Sequence, residues 1–219
     1  VVIGLYRYPF HYLFIDRREI VTDLIYTIAL YLALFASLLI LIRRQWTLNL
    51  LTLAVQFICL FPILRSYLPF QLALIQPFTG LMVTLILYLT LLNVGGIKRI
   101  DLRQRLTSGE LFRALAGILL LSLLRAFIPQ LQPTVFPTVP STYLFLSLGL
   151  LVLGILQLGT TREPFYLAIG ILTFLTGFQL LYNRLDFSLM LEALLVAVNL
   201  LLAIVGAFFI VKDAEGEAV

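Results

Sequence analysis

The chain reads as an all-α, polytopic transmembrane helix bundle of about seven spans, and three observations predict it. Hydrophobic residues fill 62% of its 219 positions and charged residues 12%, about half the charged share that a water-soluble surface needs. The apolar residues fall in seven long runs, each close to the roughly 20 residues that cross a bilayer as a helix. The runs are Leu-rich and do not alternate, which favours helices over a barrel, because backbone groups in lipid must bond internally.

Residues 1–20 form an aromatic N-terminal segment, with Tyr6, Tyr8, Phe10, Tyr12 and Phe14 alternating and Arg7 among them. It is too short to span, so it is expected in the headgroup zone or against a partner. The cluster Asp16-Arg17-Arg18-Glu19 argues against a signal peptide. Residues 21–211 form a single membrane domain, with spans predicted at 21–42, 46–65, 69–92, 111–128, 142–159, 164–183 and 188–211. Glu19 and Asp23 read as first-turn acids of the first span. Arg43-Arg44-Gln45-Trp46 closes the first hairpin, with Trp46 as an interface anchor. Pro164 suits a first helical turn.

Two connections are longer. Residues 93–110 are basic, with Lys98, Arg99, Arg103 and Arg105 against Asp101 and Glu110. They read as a connector or as a docking or lipid-headgroup surface. Residues 129–141 carry Pro129, Pro133, Pro137 and Pro140, which predicts an extended loop. Residues 212–219 are a short acidic tail. The side holding the basic loop carries nine Lys and Arg against six on the other. This places the C-terminus in the cytoplasm and the N-terminus outside, in what is expected to be a bacterial or archaeal plasma membrane.

The chemistry the residues exclude is extensive. His11 is the sole histidine and precedes the first span, so bis-histidine haem, an H-E-x-x-H metal site and a Ser-His dyad within the membrane are all missing. Cys59 is the sole cysteine, so neither an internal disulfide nor a cysteine zinc site forms. No catalytic constellation, cofactor site or metal site is assigned, and no nucleic-acid or soluble-substrate partner is expected. The expected partners are the lipid bilayer and the other membrane proteins of a larger complex.

The spans suggest a repeat of three plus one plus three. Spans one to three and five to seven share a plan, with an Arg-containing first hairpin (Arg43-Arg44, or Arg162) and a later turn leading into Phe70-Gln71-Leu72 or Phe187-Ser188-Leu189. One intervening span makes the two triplets parallel.

The run Leu153-Gly154-Ile155-Leu156-Gln157-Leu158-Gly159-Thr160-Thr161-Arg162-Glu163-Pro164 is a Gly- and Leu-rich helix ending in an Arg-containing turn. With Ile169 to Gly177 and Val198-Asn199-Leu200 to Ala203, it resembles the three-helix K-type subunits of respiratory complex I. The whole chain resembles the seven-helix membrane component of hydrogenase-4-type complexes. The resemblance implies two buried proton-relay carboxylates. The matching positions are Leu175 or Thr176, and Asn199, none of them acidic, and Gly80 stands where relatives carry Lys. The resemblance therefore implies a scaffold without its relay: a non-catalytic accessory subunit of a complex I-, membrane hydrogenase- or cation/proton antiporter-like assembly. The alternative is a small stand-alone transporter or ion-conducting protein, with Pro77 as the candidate helix break.

The intramembrane polar candidates are Glu192, Asn199, Thr176, Gln76 and Gln179. Glu192 lies one turn inside the last span. It reads either as a proton or cation site paired with Arg184 or Arg125, or as a helix-start carboxylate reaching the headgroups; the second is expected. Gln56, Gln71, Gln76, Gln157, Gln179 and Asn199 are expected to hydrogen-bond between helices, with a hydrated path or quinone site as the alternative. Arg125 is expected to snorkel. Gly170 and Gly177, with Ala193, Ala197 and Gly206, mark close helix approaches.

Overall fold

A computed structural model describes residues 10–65, 68–95, 107–185 and 188–217, with side chains from residue 24 to residue 215. The helices are α1 (Phe10–Ile42), α2 (Trp46–Arg65), α3 (Phe70–Ala73), α4 (Ile75–Asn93), α5 (Ser108–Val135), α6 (Ser141–Thr160), α7 (Pro164–Leu185) and α8 (Leu189–Glu217). There is no strand among the described residues. Among the described residues, seven segments are long and apolar enough to cross a membrane, α3 and α4 together forming the third. The protein is an all-α, multi-pass membrane bundle.

Several boundaries differ from expectation. Helix α1 is continuous from Phe10, so Glu19 and Asp23 lie turns inside it and not in its first turn. Residues 1–9 and the basic stretch 96–106 lie outside the described residues. Helix α5 starts before the basic loop is complete, because Thr107 and Glu110 form a capping box: the Thr107 N–H donates to Glu110 at 2.9 Å and the Glu110 N–H to the Thr107 hydroxyl at 3.4 Å. The proline segment is not extended: α5 runs through Pro129 and Pro133 to Val135. Proline's φ suits a helix, and its lost N–H bond and its clash with the carbonyl four residues back are tolerable near a helix end where the chain can give and water can reach the freed carbonyls. Only 136–140 forms the turn, held by Gln132 donating to the Val139 carbonyl at 3.0 Å. Residues 212–217 of the acidic tail are helical, as the last turns of α8.

The third span breaks at Leu74, between α3 and α4. The break lies one turn before Pro77, where the proline ring meets the carbonyl four residues back, that of Ala73.

Helices α1, α2 and α4 pack in sequence, as do α6, α7 and α8. The two triplets meet through like members: α1 packs on α6, and α4 on α8. A two-fold axis would instead bring α1 against α8 and α4 against α6. The six spans close a ring in which α2 and α7 face each other, and the Trp46 and Phe165 rings meet at 5.8 Å near their starts. Helix α5 leans on α6 and α1 from outside and buries only 17% of its apolar window. Leu111, Phe112, Leu115, Ile118 and Leu119 of its surface face outward, as lipid-facing residues do.

Glycines set the tightest approach. A Cβ at Gly154 would come 2.6 Å from the Phe174 backbone nitrogen, and one at Gly177 would come 2.7 Å from the Ser147 carbonyl oxygen. Helices α6 and α7 therefore pack backbone to backbone. Gly80 gives α4 the room that the Phe57 ring of α2 occupies.

Candidate functional site

Glu192 lies in the first turn of α8 and is 3% exposed. It faces into the bundle and not toward headgroups. One carboxylate oxygen accepts from Gln179 Nε2 at 2.8 Å and Gln76 Nε2 at 3.2 Å, the other from Asn183 Nδ2 at 2.8 Å. Gln179 Oε1 in turn accepts from Asn199 Nδ2 at 3.4 Å. These partners are uncharged amides; neither Arg184 nor Arg125 is among them. Arg125 instead stacks over the Phe145 ring at 5.5 Å.

Each donor is placed by its helix. Gln179 and Asn183 are four apart on α7 and so share a face. They meet Glu192 across the tight α7–α8 hairpin. Gln76 arrives from the other triplet, on the turn between the Leu74 break and Pro77. Asn199, two turns below Glu192 on the same face of α8, reaches up to Gln179.

Four predicted site residues are thus brought together: Glu192, Gln76, Gln179 and Asn199. Asn183 was not expected there, although its spacing from Gln179 on a hairpin that returns through Glu192 is a readable signal. Thr176 is buried on the same face of α7, but its hydroxyl donates to the Leu172 carbonyl of its own helix at 2.8 Å. Gln71 lies exposed on α3. Gln157 ties α6 to α1, donating to the Ser37 carbonyl at 3.2 Å, and the Tyr143 hydroxyl ties α6 to α7 through the Leu180 carbonyl at 2.8 Å.

Chemically, the centre is a desolvated carboxylate in a cage of amides. A charge in a span is costly and is kept where it faces the protein interior. Three amide N–H donors take the place of the water that burial removes. Among the described residues no group of three His, Cys, Asp or Glu side chains could hold a metal.

The opposite end of the bundle is built differently. Arg44 bonds Glu163 at 3.1 Å and the Thr160 carbonyl at 2.9 Å, and its guanidinium lies 5.5 Å from the Tyr166 ring centre. Arg113 lines the same small cleft with Gln157, Thr161 and Tyr166; the space open to a water centre is about 10 Å³, room for one molecule.

Comparison with protein-family models, curated proteins and solved structures finds no match for this chain.

Proposed function

We propose that the chain is a proton-handling membrane subunit in which Glu192 is the exchanging group. The observation that supports this is the burial of Glu192 at 3% exposure with amides alone for partners. A carboxylate kept only for helix-end electrostatics would gain as much at the surface, without the desolvation cost. The resemblance to the membrane components of hydrogenase-4-type complexes and complex I suggests a larger ion-translocating assembly as its setting.

The test is proton flux in liposomes, for the purified chain and for whatever assembly it co-purifies with under mild detergent. Glu192→Gln keeps the shape and removes the titrating group. It is expected to lower flux at least about a hundredfold, the lower end of what a general acid or base contributes. Unchanged flux in the assembly would sink this reading.

That outcome would leave the second reading, a non-catalytic accessory subunit. The observation favouring it is that Glu192 joins α4, α7 and α8 through side-chain bonds, so the same carboxylate can serve as a clamp.

A further inference from the structure

Uncharged polar side chains in membrane helices usually join one helix to another. Several polar atoms here are left out of such bonds. Both polar atoms of Gln56, the Thr173 hydroxyl and the Asn199 side-chain oxygen Oδ1 are buried without a hydrogen-bond partner. All three residues are 0% exposed, and they come from α2, α7 and α8.

They also share a depth. Helices α2 and α7 run parallel from the Trp46–Phe165 contact. At 1.5 Å per residue, Gln56 lies about 15 Å along α2 and Thr173 about 12 Å along α7. Asn199 lies about 10 Å below Glu192, which is itself level with Gln179 and Asn183, and so returns to the depth of Thr173. Three helices of the ring therefore bring orphaned polar atoms to one level of the interior.

The same pattern continues in both directions. Toward Glu192, Gln76 Oε1 and Asn183 Oδ1 lack partners; toward the other end, Gln157 Oε1 lacks one. Gln157 lines the Arg44–Arg113 cleft. Buried polar atoms in folded proteins are satisfied by protein or by ordered water, and the described residues offer these atoms no partner.

We propose that these groups hold a file of water through the bundle, from the Glu192 cage past Gln56 and Thr173 to the cleft at Arg44. As a conduit for Glu192 it rests on the proton-handling reading; as a hydrated path it stands on the orphaned atoms alone. A proton leaving the Glu192 carboxyl passes to the adjoining water as hydronium and leaves a carboxylate. Each later water accepts one proton and releases another, so charge and atoms balance at every step. Gln56, Thr173 and Asn199 are positioning residues that orient the water.

The test is water-edited solid-state NMR of the full chain in phospholipid bilayers, which measures how fast magnetisation reaches each side chain from mobile water. Gln56 and Thr173 are expected to build up at least about fivefold faster than Phe57, which is equally buried and next to Gln56 in sequence, because a hydrating water lies in direct contact. Build-up at the Phe57 rate would overturn the proposal. Gln56→Leu, which removes no protein hydrogen bond, is expected to slow the Thr173 build-up; an unchanged Thr173 rate would also count against a continuous file. Neither readout depends on transport. A wet file with normal flux in Glu192→Gln would refute the proton-handling reading and leave the file standing.

Discussion

The bundle holds a carboxylate at each end, and the two are treated in opposite ways. Glu163 is half-exposed beside Arg44, with side-chain exposures of 44% and 36%. Glu192 is 3% exposed and has three amide donors in place of a cation. Water already solvates Glu163, so its ion pair adds little. Burial takes bulk water away from Glu192, so each donor matters. The same functional group is thus a surface ornament at one end and a structural and chemical centre at the other.

The largest effect that sharpens this contrast is expected from Glu192→Leu. It leaves three buried amides without an acceptor, at about 1–3 kcal/mol each, and thermal unfolding in detergent should show a loss of several kcal/mol. A loss below about 1 kcal/mol would mean that water replaces the carboxylate freely. Next comes Gly177→Ala, whose Cβ meets the Ser147 carbonyl oxygen. It should cost about 1–3 kcal/mol by forcing α6 and α7 apart, measured in the same unfolding assay.

Gln76→Leu removes one of the three donors and cuts the side-chain bond between α4 and α8. The loss of one hydrogen bond to a charged group is about 1.5–3 kcal/mol, partly offset by the apolar replacement. Its stability change should therefore fall below that of Glu192→Leu, while its proton flux drops if Gln76 helps hold the ionised form. The smallest effect is expected from Glu163→Gln, within about 1 kcal/mol, because the pair is exposed and screened. If Glu163→Gln proved as damaging as Glu192→Leu, the contrast between the two ends would collapse.

Much of the architecture was legible in one dimension. Span lengths and hydropathy are local properties, and the seven runs became seven spans, although α1 starts well before and α5 and α8 end well after the predicted bounds. The errors cluster where proline or a cap decides the outcome. Four prolines at 129–140 suggested an extended loop, yet two of them sit inside α5 because their backbone angle is helical. Pro77 did mark a helix break, but the break falls one turn earlier, at Leu74, since the ring acts on the carbonyl behind it. Glu110 looked like a loop charge and is a cap.

The site was legible as a set of residue types, not as an arrangement. Glu192, Asn199, Gln76 and Gln179 stood out because polar groups are rare in these spans. The headgroup reading of Glu192 followed from its place one turn into a helix, a position from which a side chain can reach water. Only the packing of α4 and α7 against α8 closes that route. Gln76 and Glu192 lie 116 residues apart, so no local pattern could pair them, and the sequence could not rank amide partners over Arg184.

The chain's hydropathy by itself determined that this is a seven-span helical membrane protein with few charges at depth, because burying backbone and side chains in lipid constrains each segment independently. The tertiary structure alone decided which helices are neighbours. That choice turns a helix-start glutamate into a caged carboxylate and leaves Gln56, Thr173 and Asn199 at one depth with polar atoms the protein does not satisfy. The physical reason is that desolvation and hydrogen bonding depend on what surrounds a group in space, and here the decisive neighbours come from opposite halves of the chain.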